Sequence, residues 1–197
     1  MEAFESFVAV ALEADGFVVS SGVKFPVTLQ TGKTARDEFQ THGFEVDLVA
    51  ARADRLILGT VKSFFGSRGV AAEHVLGESP RSAAVKRYAV LNNPAVRSAV
   101  VRQAAKRYGY STKQVDLRLY VGRFAGRASG HHEARIRAWA KTQRVGSGTI
   151  GVVDLNEVVD KVVEVARSTQ YINDPVLVAL KVLAEAGRVD LSPRAPS

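Results

Sequence analysis

In the stretch GFEVDLVAARADRLILGTVKSFFGSRG, Gly43 to Gly69, two runs of strand-forming residues flank a short polar turn, and each carries a charge where an apolar or neutral residue would fold more easily: Asp47 in the first, Lys62 in the second. Side chains alternate faces along a strand, so Thr60 and Lys62 share one face of the second run. A two-residue turn at Ala53–Asp54 makes a hairpin of the runs Glu45–Ala51 and Arg55–Phe64. Its register sets Asp47 opposite Thr60, with Lys62 as the diagonal neighbour. A carboxylate and an ammonium then meet on one sheet face. A purely structural ion pair is one reading, but it costs several kcal/mol of desolvation that an apolar pair avoids, and charges kept in such places often serve a site. The chemistry that suits this pair is metal-assisted phosphodiester hydrolysis. A carboxylate takes a hard cation such as Mg²⁺ or Mn²⁺, and the cation polarises a phosphate and activates a water. The ammonium orients that water or stabilises charge in the transition state.

These residues resemble the core of the PD-(D/E)xK, or restriction-endonuclease-like, nuclease superfamily. Its signature is an aspartate on one strand and an acid-x-lysine on the next, matched here by Asp47 and by Thr60-Val61-Lys62. The resemblance implies a mixed β-sheet flanked by helices and a metal-dependent endonuclease that hydrolyses DNA. It further implies that Asp47 and the Val61 carbonyl ligate the metal and that Lys62 positions the attacking water. A glutamate on the preceding N-terminal helix often assists; Glu5 is the better match here and Glu2 the second. One position departs from the pattern. Thr60 stands where the family usually has Glu, Asp or Gln, and a hydroxyl is a poor substitute for a carboxylate. Glu45, on Asp47's own face, or Glu73 or Glu78 after the hairpin, could supply the acid instead. The alternative is a catalytically degenerate nuclease fold that serves as a DNA-binding or assembly subunit.

Charge points the same way. The span Arg81–Arg144 carries fifteen Lys and Arg against two acids, Asp116 and Glu133, while the rest of the chain is net acidic. A surplus this uneven suits a polyanion held by one region. Arg97, Arg102, Lys106, Arg107, Arg123 and Arg127 are the candidate phosphate contacts there, joined by Arg68 in the Gly-flanked GSRG loop. DNA is the expected partner, with RNA left open, and cutting both strands of a duplex would suit a homodimer. The 197 residues include no cysteine, so thiolate metal sites and disulfides are impossible, which suits a reducing cytoplasm. No apolar run nears the ~20 residues that cross a bilayer, and the acids of MEAFESF do not fit a signal peptide.

The elements that must position these groups can be read from periodicity. Glu2–Ala14 has helical spacing in Phe4, Phe7, Val8, Ala11 and Leu12, and Gly16 ends it. FVVSSGVKFPVTLQ reads as a strand, edge-placed or bulged by Pro26, and TGKTARDEFQTHG as a polar loop. Arg81–Tyr108 is helical and broken at NNP; Gln114–Phe124 and GTIGVVD are strands, with a helix opened by His131 between them. Asp154 and Glu157 start one further helix, and NDP starts the last. The expected fold is α/β, restriction-endonuclease-like over residues 1–153, with a C-terminal helical extension over 154–197.

Three other motifs carry less. GSGTIG has dinucleotide-loop glycines but follows a helix rather than a strand, so a strand approach explains it better. In HHE, neighbouring helical residues point apart, so His131 and His132 do not chelate one zinc ion. The two terminal helices have too long a connection and too few basic residues for a helix-turn-helix; packing or dimerisation suits them better.

Overall fold

A central strand that is apolar on both faces organises the molecule. The computed structural model describes residues 2–31, 38–126, 130–168 and 172–192. In chain order they form α1 (Ala3–Ala14), β1 (Val18–Thr31), β2 (Glu38–Arg52), β3 (Arg55–Lys62), the short helices α2 (Ala72–Val75), α3 (Ser82–Lys86) and α4 (Ala89–Asn92), and α5 (Pro94–Tyr108). Then follow β4 (Val115–Val121), α6 (His131–Thr142), β5 (Arg144–Val145), β6 (Gly148–Thr149), β7 (Gly151–Asp154), α7 (Leu155–Ala166) and α8 (Pro175–Glu185). The main sheet has five strands in the order β1-β2-β3-β4-β7. β1, β2 and β3 form an antiparallel meander, whereas β3, β4 and β7 run parallel. The protein is therefore a mixed α/β protein with helices on both faces of one mixed sheet.

β3 sits in the middle because its sequence lets it. Leu56, Ile57 and Leu58 are all fully buried, as expected of a strand covered on both faces. Leu56 and Leu58 face a layer built from α2, α4, α5 and α6. Ile57 and Val61 face the layer of α1, α7 and α8, where Phe4, Val8, Val158, Val162 and Leu177 pack. Pro26 falls on the edge strand, where its missing N–H disturbs no inner ladder.

Local signals in the sequence account for several helix ends. Asn93 accepts from the Ala95 and Val96 N–H groups with Pro94 at the first helical position, and Gly109 closes α5 at φ 77°. Asp154 accepts from Asn156 and Glu157 while the Glu157 carboxylate returns to the Asp154 N–H, the expected capping box. Asp174 caps α8 ahead of Pro175.

The expected polar loop from Thr31 to Gly43 is corrected in part. Residues 32–37 lie outside the described residues, but Glu38–Gly43 belong to β2 and pair with Thr31–Pro26 of β1. This arm is largely exposed, so its residues have no apolar alternation to reveal it; the partner strand's ladder creates the strand. The Thr28 and Thr41 hydroxyls meet across it at 2.9 Å.

Arg137 on α6 ties three elements together. Its guanidinium donates to Glu133, to the Val152 carbonyl of β7 and to the Asp154 and Glu157 carboxylates at the start of α7. Burial lowers its pKa, but its hydrogen bonds to Glu133 and Glu157 outweigh that and raise it. Arg137→Ala would leave three carboxylates facing one another. Solvent screens these groups, so we expect a stability loss of about 1–2 kcal/mol in urea unfolding. The loss should shrink at high salt.

Candidate functional site

Asp47 stands where the β2–β3 ladder stops. The last paired residues are Leu48 and Gly59, one step short of Asp47 and Thr60, so the expected register holds. Beyond that step the Asp47 carboxylate takes over from the backbone: Oδ2 accepts the Val61 N–H at 2.6 Å and the Lys62 ammonium at 3.0 Å. Lys62 Nζ also donates to the Val61 carbonyl at 2.9 Å. The side chains of Lys62 and Asp47 are 19% and 17% exposed, so the pair is partly buried yet open to solvent.

A break in the strand pattern helps to present it. Val46 and Val49 enter the same core layer, while Leu48 and Ala50 enter the opposite one, so strict alternation fails beside Asp47. On the neighbouring strand the break falls at Gly22, which has φ 63°. Neither Gly22 nor Asp47 is among the paired residues of that ladder. A residue with a Cβ adopts that φ only at a cost, which is the reason for glycine.

The pair opens into a cleft of about 1150 Å³. Glu2 and Glu5 of α1 line it together with Glu45, Thr60, Ser63, Phe65 and, from the short α3–α4 region, Lys86, Arg87 and Tyr88. Glu5 is at the cleft as expected, but its carboxylate accepts the Glu2 N–H at 3.0 Å and helps to cap α1. Glu2 is the acid tied to the end of β3, accepting from the Ser63 hydroxyl at 3.0 Å. Thr60 is 5% exposed. Of the acids considered as its replacement, Glu45 faces the cleft and is 3.6 Å from Lys24, with its carboxylate half exposed. Glu73 instead faces His132 at 3.6 Å, and Glu78 pairs with Arg135; neither lines the cleft. Burial pushes the Tyr88 phenol far above its usual pKa, only partly offset by the Arg87 charge, so it remains a neutral hydroxyl.

The donor set suits a hard cation in kind. Asp47 Oδ2 and the Val61 carbonyl oxygen converge on one positive charge, which in this structure is the Lys62 ammonium. Among the described residues no group of three or more His, Asp or Glu side chains is gathered tightly enough to hold a metal. Magnesium commonly keeps several waters and takes one or two carboxylates plus substrate phosphate. One carboxylate and one carbonyl at the cleft are oxygen donors of that kind, and the Lys62 ammonium occupies the point where they meet.

The expected phosphate contacts divide. Arg68 and Arg123 are exposed on the loops after β3 and β4, and Arg123 donates to the Phe65 carbonyl at 3.5 Å. Arg102, Lys106 and Arg107 are exposed on α5. Lys106 and Arg107 line a separate shallow depression with Lys24 and Phe25, and Arg107 lies 6.0 Å from the Phe25 ring. Arg97 is corrected: it is 8% exposed and donates to the Leu91 carbonyl and, at 3.1 Å, to Gln143. It joins α4 to the end of α6 and faces no solvent-borne phosphate. Arg127 lies outside the described residues. Lys86, Arg87, Ser63 and Phe65 at the cleft were not singled out from the sequence. The adjacent Lys86-Arg87 pair lay within the basic span, but nothing local says which way a short helix turns.

The other motifs fall as their spacing suggested. GSGTIG supplies the β5–β6 hairpin and the approach to β7. His132 accepts the Ala72 N–H at 3.2 Å and stands edge-on to His131, joining α6 to α2.

The fold and site together define a mixed α/β protein whose sheet presents an acid–lysine pair in a polar cleft. No family model, curated protein or solved structure matches the chain.

Proposed function

We propose that the protein is a metal-dependent endonuclease that hydrolyses phosphodiester bonds in DNA. The observation that carries this reading is the convergence of Asp47 Oδ2 and the Val61 carbonyl on a single cation position at an open cleft. Element order supports it: an N-terminal helix, a three-strand antiparallel meander with the acid and lysine on its second and third strands, then helices and a parallel strand. This is the arrangement expected of a restriction-endonuclease-like core. The bound Mg²⁺ or Mn²⁺ would polarise the scissile phosphate and lower the pKa of a water.

The chain's own residues do the rest. Asp47 and the Val61 carbonyl would hold the cation. The Lys62 ammonium now donates to those same oxygens; with the cation in its place it would turn to the attacking water or a phosphate oxygen. Glu2, held by Ser63 at the start of α1, and Glu5 would add negative charge on that wall and accept a hydrogen bond from the attacking water. Lys86 and Arg87 line the same cleft and neutralise the phosphate backbone.

A second reading is a catalytically degenerate nuclease-fold subunit that binds DNA without cutting it. The buried Thr60, where the resemblance calls for an acid, favours it. Incubation of purified protein with supercoiled plasmid separates the two. The endonuclease reading expects nicking or linearisation with Mg²⁺ or Mn²⁺, lost with EDTA and in both Asp47→Ala and Lys62→Ala. Binding without cleavage, indifferent to both substitutions, would leave the second reading standing.

A further inference from the structure

Phe65 is placed as few exposed aromatics are. It is 51% exposed at the mouth of the Asp47–Lys62 cleft, three residues beyond Lys62. Its ring meets the buried Phe4 ring at 5.6 Å and 79°, an edge-to-face contact. It also lies against the backbone at Gly122, where an added Cβ would stand 2.8 Å from Phe65 Cζ and 2.7 Å from the Ser63 carbonyl. Phe64 before it has φ 47°, a left-handed conformation that a bulky residue adopts only under constraint. The ring is thus held in one place while half of it stays open to water. Its open side presents a flat apolar face beside a polar cleft, a surface that a flat apolar ligand group would cover. Arg123 donates to the Phe65 carbonyl at 3.5 Å, and Lys86 and Arg87 line the same cleft, cations suited to a phosphate backbone.

We propose that Phe65 is a stacking platform for an unpaired nucleobase, so that the preferred substrate carries an unstacked base beside the scissile phosphate rather than a continuous duplex. This rests on the nuclease reading above. Every base has a π-face, so stacking on an aromatic ring tolerates any sequence and selects for bases freed from a duplex. Phe65 and Asp47 line one cleft, so the stacked base would belong to a nucleotide near the phosphate held at Asp47.

The test is fluorescence anisotropy with Ca²⁺ in place of Mg²⁺, comparing a paired duplex with the same duplex carrying a single-stranded flap. Wild-type protein should prefer the flap, and Phe65→Ala should weaken flap binding about 5- to 100-fold while changing duplex binding by less than about twofold. Phe65→Trp should retain flap binding, and its added indole should be quenched by the flap but not by the duplex. Thermal melting of both variants separates a folding defect from a binding one. Equal loss on both substrates, no loss on either, or an unquenched indole would overturn the platform. If those results came with intact Asp47-dependent cleavage, the platform alone would fall. If wild-type protein bound and cut neither substrate, the nuclease reading would fall with it.

Discussion

Replacing Asp47 with alanine is expected to lower plasmid cleavage at least about 100-fold, the scale of loss when one charge-stabilising group leaves a site. The same change should cost about 1–3 kcal/mol of stability, because two groups lose their acceptor. The Val61 N–H has no ladder partner at that step, and the Lys62 ammonium keeps only the Val61 carbonyl. Asp47→Asn separates the two effects. Its amide oxygen can still accept from Val61, so most of the stability should return, but the charge that holds a cation does not. Urea midpoints and nicking rates for wild type, alanine and asparagine form the measurement. Full activity in the asparagine protein would show that the carboxylate holds no metal. Equal stability of wild type and Asp47→Ala would show that its hydrogen bond to Val61 contributes nothing.

Arg97→Ala is expected to be the most destabilising of the arginine substitutions, by about 2–4 kcal/mol. Its guanidinium is buried between the Leu91 carbonyl and the Gln143 side chain, and burial already lowers its pKa. Truncation would leave both acceptors without their donor and open a cavity under α5. Lysine should rescue only in part, since a single ammonium cannot span the two acceptors as the planar fork does. Arg102→Ala, on the exposed face of the same helix, should stay within about 0.5 kcal/mol of wild type. Unfolding curves for the three proteins decide the point. A phosphate contact at Arg97 would instead show as unchanged stability with a shallower salt dependence of DNA binding.

The contrast between Arg97 and Arg102 shows where sequence reading ends. Both sit in one basic helix, five positions apart on its surface pattern, and both look like polyanion contacts. Burial of a long cation depends on whether distant carbonyls and amides happen to meet it, here Leu91 and Gln143 from other segments. Nothing in α5 itself records that. The same holds for Glu73 and Glu78, spent on His132 and Arg135, and for the cleft wall of Lys86 and Arg87.

By itself the sequence determined most of the alternation of helix and strand, the break at NNP, the helix starts at Asp154 and at NDP, and the hairpin turn at Ala53–Asp54 with its register. These are local quantities: periodicity, backbone preference and short-range hydrogen bonds decide them within a few residues. Register in turn brought Asp47 to the face of Thr60 and Lys62, because a fixed turn leaves a strand pair no freedom. Tertiary structure alone decided that Asp47 would replace a missing ladder bond, that Lys62 would bridge it to the Val61 carbonyl, and that Phe65 would stand half exposed at the cleft. Those outcomes depend on contacts between segments far apart in the chain, where packing and the demand to satisfy every buried polar group override local preference.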